Sequence, residues 1–309
     1  MLGKIKKVIS IACVLIFILP ITSYSIDKEE FLKYLIKSSY PESSTSNASL
    51  KEDKEKKDKN TSKEKDYIKV HIGEENIPTL SKNETTSTKY SEYKNDIRLT
   101  KQNPTMLIYH SHAGETYADS PEGNYHSKNR EKSVVEIGTL LTEQLSKKGW
   151  GIAHSIKYHD YPDFTKSYIS SLETVKSMLN SYKDINIAID LHRDGRDIKT
   201  NDDMQKENNR MTTTYKGEKV AKFFFVVGMR NPNVGDVKSL AEDITKFAKS
   251  KYPELVLPVV EKPVGKFNQY MAKNHMLIEV GSNGTSSEEA KASVKYISEI
   301  LDEYFKKNG

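Results

Sequence analysis

A chain of 309 residues, 36% of them hydrophobic, is long enough for one or two domains with a substantial core. Its 48 Lys and Arg against 43 Asp and Glu leave a net charge of only +5, with both signs plentiful, which excludes the electrostatic footprint of a nucleic-acid-binding protein. A single cysteine excludes a disulfide framework and a thiolate metal site, so any metal must be held by His, Asp or Glu.

Met1 to Lys7 carries three lysines, and Val8 to Ile21 is an almost unbroken apolar run that contains Cys13. Thr22-Ser23-Tyr24-Ser25 follows, with small residues where a signal peptidase would cut. The run falls short of the roughly 20 apolar residues of a full span. Residues 1–26 are therefore expected to be a signal peptide or membrane anchor. Because the lysines precede the run, the rest of the chain is expected to be exported.

From 27 to 100 the chain is dominated by Ser, Lys, Glu, Asp and Asn, a composition that cannot offset the entropy of ordering. Only Tyr67 to Ile72 looks strand-like. A coil of this length has a mean span of about 50 Å, which is the reach of a tether.

Residues 101–309 alternate strands with helices. Strands are expected at 105–110, 150–155, 185–192, 220–227 and 276–280, with an edge strand near 255–260. Helices are expected at 131–148, 168–182 and 237–250. The tract Thr285-Ser286-Ser287-Glu288-Glu289 supplies a capping box for a final helix. The polar stretch from Arg193 to Gly217 reads as a lid or a disordered loop. The sum is a single α/β domain with a mainly parallel mixed sheet flanked by helices, preceded by a membrane or signal segment and a disordered linker.

Three strands end in chemistry. The first runs Met106-Leu107-Ile108-Tyr109 into His110-Ser111-His112-Ala113-Gly114-Glu115. The second ends in Asp190-Leu191-His192, and the third carries Glu279 among Leu277, Ile278 and Val280. Open α/β sheets keep their sites at the C-terminal edge of the strands, and imidazoles with carboxylates there suit a metal. Asp190 and His192, two apart in a strand, share a face, the usual way a carboxylate orients a liganding imidazole. Glu279 is costly to bury without a partner, and a desolvated carboxylate beside a cation is how a general base is made. His110 and His112 are also two apart, so one could ligate and the other orient a ligand or touch substrate. His71, His126, His154, His159 and His275 lack a strand-end setting.

With His112-Ala113-Gly114, Arg130-Glu131-Lys132, Ile189 to His192 and Leu277 to Gly281 in place, the chain resembles zinc-dependent N-acetylmuramoyl-L-alanine amidases. It is most similar to their stage II sporulation protein P branch. Leu107 to His112 with Glu115-Thr116-Tyr117, Asp190 to Asp194, Asn231-Pro232, Phe267-Asn268-Gln269, Leu277 to Gly281 and Glu289-Ala290 carry that likeness from about Asn103 to the C-terminus. The resemblance implies Zn²⁺ on His112, Glu131 and His192, with Glu279 as the catalytic base. It favours Glu131 over Glu115, and His112 over His110, because those positions align with the family's metal residues. Glu131 is also expected to open a helix, where the dipole favours a carboxylate. Glu115, His110 and Asp190 then become substrate contacts or supports, and Arg193 is expected to bind a peptide carboxylate or steady an oxyanion. The implied activity is cleavage of the MurNAc–L-Ala bond of peptidoglycan, with peptide cross-links as a further target. The implied setting is septal wall remodelling in engulfment during sporulation, beside a lytic transglycosylase and the membrane. Two other readings share the motifs: a zinc peptidase acting on cross-links only, and a wall-binding scaffold that has lost hydrolysis.

Overall fold

The computed structural model describes Tyr93 and residues 95–308. The expected signal or anchor at 1–26, and nearly all of the tract at 27–100 with its Tyr67–Ile72 run, lie outside the described residues. Among the described residues, no helix is long and apolar enough to cross a membrane.

Short apolar runs rich in Ile, Val, Leu and Phe form the strands of one seven-stranded sheet: β1 (Ile97–Leu99), β2 (Met106–Tyr109), β3 (Ile152–Ser155), β4 (Ile187–Asp194), β7 (Phe223–Gly228), β8 (Val260–Lys262) and β9 (Asn274–Ser282). Two further strands, β5 (Thr212–Tyr215) and β6 (Glu218–Ala221), form a separate hairpin. The sheet order is β1-β3-β2-β4-β9-β7-β8. Its centre, β3-β2-β4-β9, is parallel, while β1 pairs antiparallel with β3 and β7 antiparallel with β9. The expected mixed, mainly parallel sheet is what forms.

The helices are α1 (Val134–Lys147), α2 (Ser167–Ser181), α3 (Asn201–Met211), α4 (Val234–Lys251) and α5 (Ser287–Asn308). Strand alternation decides what each covers. Met106, Ile108, Ile187, Ile189, Leu191, Met276 and Ile278 meet the apolar stripes of α1, α4 and α5, including Ile137, Leu141, Ile244, Ile297 and Ile300. Leu107, Tyr109 and Ala188 face the other way and pack with Val175 and Met178 of α2. The first helix is set by its cap, with Ser133 accepting from Val135 N at 3.2 Å. The expected capping box before α5 is present as Ser286 and Glu289: Ser286 N donates to Glu289 Oε2 at 2.8 Å, and Glu289 N donates to Ser286 Oγ at 3.2 Å.

Three expectations need correction. Residues 193–217 are not a structureless lid. Thr200 and Asp203 form a capping box, Arg210 pairs with Glu207 at 2.6 Å, and fully buried Met211 anchors the end of α3 before the β5–β6 hairpin. That helix has almost no apolar stripe, so periodicity could not announce it. The run from Val220 to Val227 is two strands, because the chain changes sheets at Lys222: its N–H donates to Met211 O at 2.7 Å, and its carbonyl accepts from Gly281 N at 2.9 Å. The ordered fold also begins before residue 101. β1 lies inside the tract read as linker, where a three-residue strand among polar neighbours leaves no legible alternation.

A chain begun at residue 101 is expected to be less stable than one begun at residue 92. It loses Ile97 (9% exposed) and Leu99 (2% exposed) from the core, together with the β1 ladder. Two such side chains contribute on the order of 3–6 kcal/mol. The loss should show as a lower denaturant midpoint in chemical unfolding. Equal midpoints would show that β1 adds nothing.

Candidate metal centre

The parallel strands β2, β4 and β9 deliver their C-terminal ends side by side, and β4 and β9 are in register with His192 opposite Glu279. Beyond His192 the pairing shifts by a bulge before Asp194, which ends the regular ladder at the site. On β4, Asp190 and His192 share the α2 face with Glu279, opposite to Ile189 and Leu191. The i, i+2 spacing therefore sets Asp190 Oδ1 2.9 Å from His192 Nε2. Ser111 locks this pair. Its N–H and hydroxyl donate to the two oxygens of Asp190, both at 2.8 Å, and its Oγ lies 2.8 Å from His192 Nε2.

The loop after β2 supplies the remaining donors. His112 and His192 meet edge to face with ring centres 5.1 Å apart. Between their Nδ1 atoms lies the carboxylate of Glu115: Oε2 is 3.1 Å from His192 Nδ1 and Oε1 is 3.7 Å from His112 Nδ1. Arg193 N also donates to Glu115 Oε2, at 3.2 Å. The outer nitrogen of His112 is held by Ser167 Oγ at 2.8 Å, and Phe164 stacks on the ring at 4.4 Å. Gly114 is required here. A Cβ at this position would come within 2.6 Å of His126 Nε2 and 2.9 Å of Asp160 Oδ2, the oxygen that accepts from Gly114 N.

Among the described residues, His112, Glu115 and His192 form the group that can hold a metal ion: all three are buried, with one donor atom each within 4.8 Å of the others. Two imidazoles and a carboxylate, each imidazole fixed from behind by a hydroxyl or carboxylate, form the kind of donor set that zinc accepts. The electrostatics of the chain alone describe the same cluster. Burial opposes charge on His192, but Asp190 and Glu115 outweigh it and raise its pKa well above the ordinary value. Burial also opposes the charge on Glu115, yet His192 and Arg193 hold that carboxyl well below its usual range. Asp190 is held down to about 2 against its own burial, chiefly by His192. Burial, reinforced by the neighbouring His192, lowers His112 to about 4 and keeps it neutral. Glu279 behaves oppositely: burial, with Glu115 nearby, pushes it up to about 8. Its Oε2 is shielded from solvent and has no hydrogen-bond partner among the described residues.

The placements alter several expectations. Glu131 is exposed and lies in a single 3₁₀ turn, Arg130–Lys132, that precedes the Ser133 cap. It is not the carboxylate that joins the two histidines. The helix starts three residues later than expected, so the dipole argument does not apply to it. Glu115 takes that place because the β2–α1 connection folds back over the helix start, with Val134 N donating to Glu115 O at 3.0 Å and Thr116 bridged to Ser133. His110 does not share a face with His112. β2 ends at Tyr109, and the turn that follows breaks the alternation. His110 instead points to the α1 side, with Nδ1 2.8 Å from Leu191 O and Nε2 3.0 Å from His154 Nε2. Gly138 of α1 makes room for that pair, since a Cβ there would lie 2.7 Å from both imidazoles. Arg193 is buried, and its guanidinium donates to three backbone carbonyls: Thr116 at 3.0 Å, Tyr125 at 2.9 Å and Asp194 at 3.4 Å. Those bonds fasten the guanidinium to the loop backbone.

Ser111 and Ser167 were not singled out by sequence reasoning. Ser111 had a usable signal, lying between two histidines at a strand end. Ser167 had none, because its role depends on where α2 starts.

A model of the family described as Stage II sporulation protein P matches residues 20–302. The chain belongs to that family. Stage II sporulation protein P of Bacillus subtilis (strain 168) is 26% identical over 250 residues, covering 75% of this chain. This chain spans 58% of the length of that relative. Among solved structures, N-acetylmuramoyl-L-alanine amidase from Clostridium difficile 630 aligns with a TM-score of 0.38 and 13% identity, over 67% of this chain and 100% of that one. The CwlD amidase from Clostridioides difficile, solved in complex with the GerS lipoprotein, aligns with a TM-score of 0.41 and 12% identity, over 65% and 98% of the two chains.

Proposed function

We propose that this chain is a zinc-dependent peptidoglycan hydrolase that cleaves the amide between N-acetylmuramic acid and L-alanine. The observation that carries the reading is the pairing of the buried His112–Glu115–His192 group with Glu279, its register neighbour across β4 and β9. Membership of the Stage II sporulation protein P family supports a role in sporulation, and with it septal wall remodelling during engulfment. In the same reading, residues 1–26 direct export or anchor the chain, and the polar tract lets the domain reach the wall.

His112, Glu115 and His192 would hold the zinc ion. When bound, zinc supplies Lewis acidity toward water and toward an amide carbonyl. Asp190, Ser111 and Ser167 keep both imidazoles turned with Nδ1 toward Glu115. Glu279 takes a proton from water as the water oxygen bonds to the carbonyl carbon, then returns it to the nitrogen as the C–N bond breaks. A carboxyl poised near neutral pH is suited to both halves of that transfer. Arg193, Tyr125 and Thr116 hold the loop that carries Glu115.

The test is digestion of purified sacculi by the full-length chain, with products identified by mass. Glycan strands freed of intact stem peptides are expected. Trimmed cross-links on stems still attached would move the activity to a peptide bond, and absence of soluble products would refute the hydrolase reading.

A further inference from the structure

Two motifs that carried the family likeness, Asn231-Pro232 and Phe267-Asn268-Gln269, have no part in the mechanism above. The fold brings them together just past the C-terminal end of β7. Gln269 is buried and satisfies three polar groups. Its Oε1 accepts from Gly228 N at 2.9 Å and from Asn231 Nδ2 at 3.0 Å, and its Nε2 donates to Val226 O at 2.7 Å. A buried amide with these partners fixes the loop to the sheet, because breaking it away would leave each of them desolvated and unpaired.

Phe267 (φ 50°) and Asn268 (φ 54°) both occupy the left-handed region that non-glycine residues seldom adopt. Consecutive residues persist there only when their surroundings over-determine them. Here Gly265 clears the space for the Phe267 ring, since a Cβ on it would lie 2.1 Å from that ring. Gln269 N donates to Lys266 O and Met271 N to Asn268 O, both at 3.0 Å. What this backbone decides is the direction of one side chain. Asn268, itself buried, points at the first turn of α2, where its Nδ2 donates to Tyr168 O at 3.0 Å and to Ser171 Oγ at 3.1 Å.

The start of α2 needs such a hold. Asp163 caps the 3₁₀ turn ahead of it, accepting from Thr165 N at 3.0 Å, but Lys166 at the N-cap of α2 makes no side-chain cap hydrogen bond. That first turn carries two contacts to His112. Ser167 Oγ lies 2.8 Å from His112 Nε2, and the Tyr168 ring meets the imidazole edge to face with centres 5.3 Å apart. Tyr168 in turn lies against Phe267, with ring centres 5.3 Å apart. Asn268 thus grips the helix one residue beyond the hydroxyl that holds His112.

We propose that Asn268 is a positioning residue for His112: it sets the first turn of α2 so that Ser167 meets Nε2 and Nδ1 stays turned to Glu115. The use of that orientation rests on the zinc reading; the orientation itself does not.

The test uses Asn268→Gly, because glycine takes a positive φ without steric cost and so removes the amide while keeping the backbone. Asn268→Asp is the second variant; it keeps the shape but sets an oxygen against Tyr168 O. The first readout is the ring resonances of His112 in the metal-free full-length chain labelled with ¹⁵N-histidine, assigned by their absence in His112→Gln. Both Asn268 variants should move them as Ser167→Ala does. The second readout is zinc affinity by competition with a chelator. It should fall about tenfold in each variant, the low end of what losing a partner behind a metal ligand costs. Ser167→Ala combined with Asn268→Gly should bind zinc no more weakly than Ser167→Ala, because one residue acts through the other, whereas independent contacts multiply their losses. Losses that multiply would overturn the proposal. So would His112 resonances and zinc affinity that stay unchanged while the denaturant midpoint falls, since Asn268 would then serve stability alone. A chain that takes up no zinc, yet whose His112 resonances respond to Asn268, refutes the zinc reading alone. A chain that binds zinc and whose His112 ignores Asn268 refutes the positioning role alone.

Discussion

Glu115→Ala is expected to leave the purified chain without bound zinc, while Glu131→Ala retains a full equivalent. The carboxylate of Glu115 lies between the Nδ1 atoms of His112 and His192, whereas Glu131 is exposed on a turn outside the cluster. Removing a hydrogen-bond partner behind a metal ligand costs roughly 10–100-fold in affinity, and removing a ligand itself should exceed that. Asp190→Asn and Ser167→Ala provide the internal scale, because each loosens one imidazole without removing a donor from the centre. Metal content by elemental analysis after dialysis against buffered zinc reads all four variants. Zinc lost from Glu131→Ala but kept by Glu115→Ala would reverse the assignment.

Glu279→Gln is expected to keep its zinc and lose most of its turnover. The substitution preserves shape in a strand interior but removes the acceptor that, in the proposed mechanism, takes a proton from water. Loss of a general base costs about 10²–10⁴ in rate, or roughly 3–5 kcal/mol in the barrier. Glu279 is well placed to show the full effect, since its Oε2 is shielded and makes no hydrogen bond among the described residues. The readout is the initial rate of product release from sacculi, with zinc content measured on the same sample. Near-normal turnover with zinc retained would remove Glu279 from the mechanism. Loss of both would mean that it supports the metal centre rather than acting on water.

The parts of the site that could be read in advance were those set by strand geometry. Asp190 and His192 lie two apart in a continuous strand, and Glu279 interrupts an apolar one. Alternation alone put Asp190 and His192 on one face, and the β4–β9 register then set Glu279 opposite His192. The likeness of His112, Asp190–Asp194 and Leu277–Gly281 to a known family pointed the same way, and the match over residues 20–302 agrees with it. The errors began where strands stop. His110 and His112 have the same spacing as Asp190 and His192, yet their side chains go to opposite faces because β2 ends between Tyr109 and His110.

Taken alone, the sequence determined the strands and helices outside β1, α3 and the β5–β6 hairpin, the parallel centre of the sheet, the cap of α5, and the three strand ends that carry the chemistry. These depend on near-neighbour periodicity and capping, which the chain expresses within a few residues. Only the tertiary structure decided which glutamate joins the histidines, that Arg193 is consumed by the carbonyls of Thr116, Tyr125 and Asp194, and that Ser167 steadies His112. The contacts of Glu115 with His192, of Arg193 with Thr116 and Tyr125, and of Ser167 with His112 join residues 55 to 77 apart in the chain. No local pattern records where such a loop comes to rest. That position follows from the packing of α1 and α2 on opposite faces of the sheet, and from the hydrogen bonds their ends require.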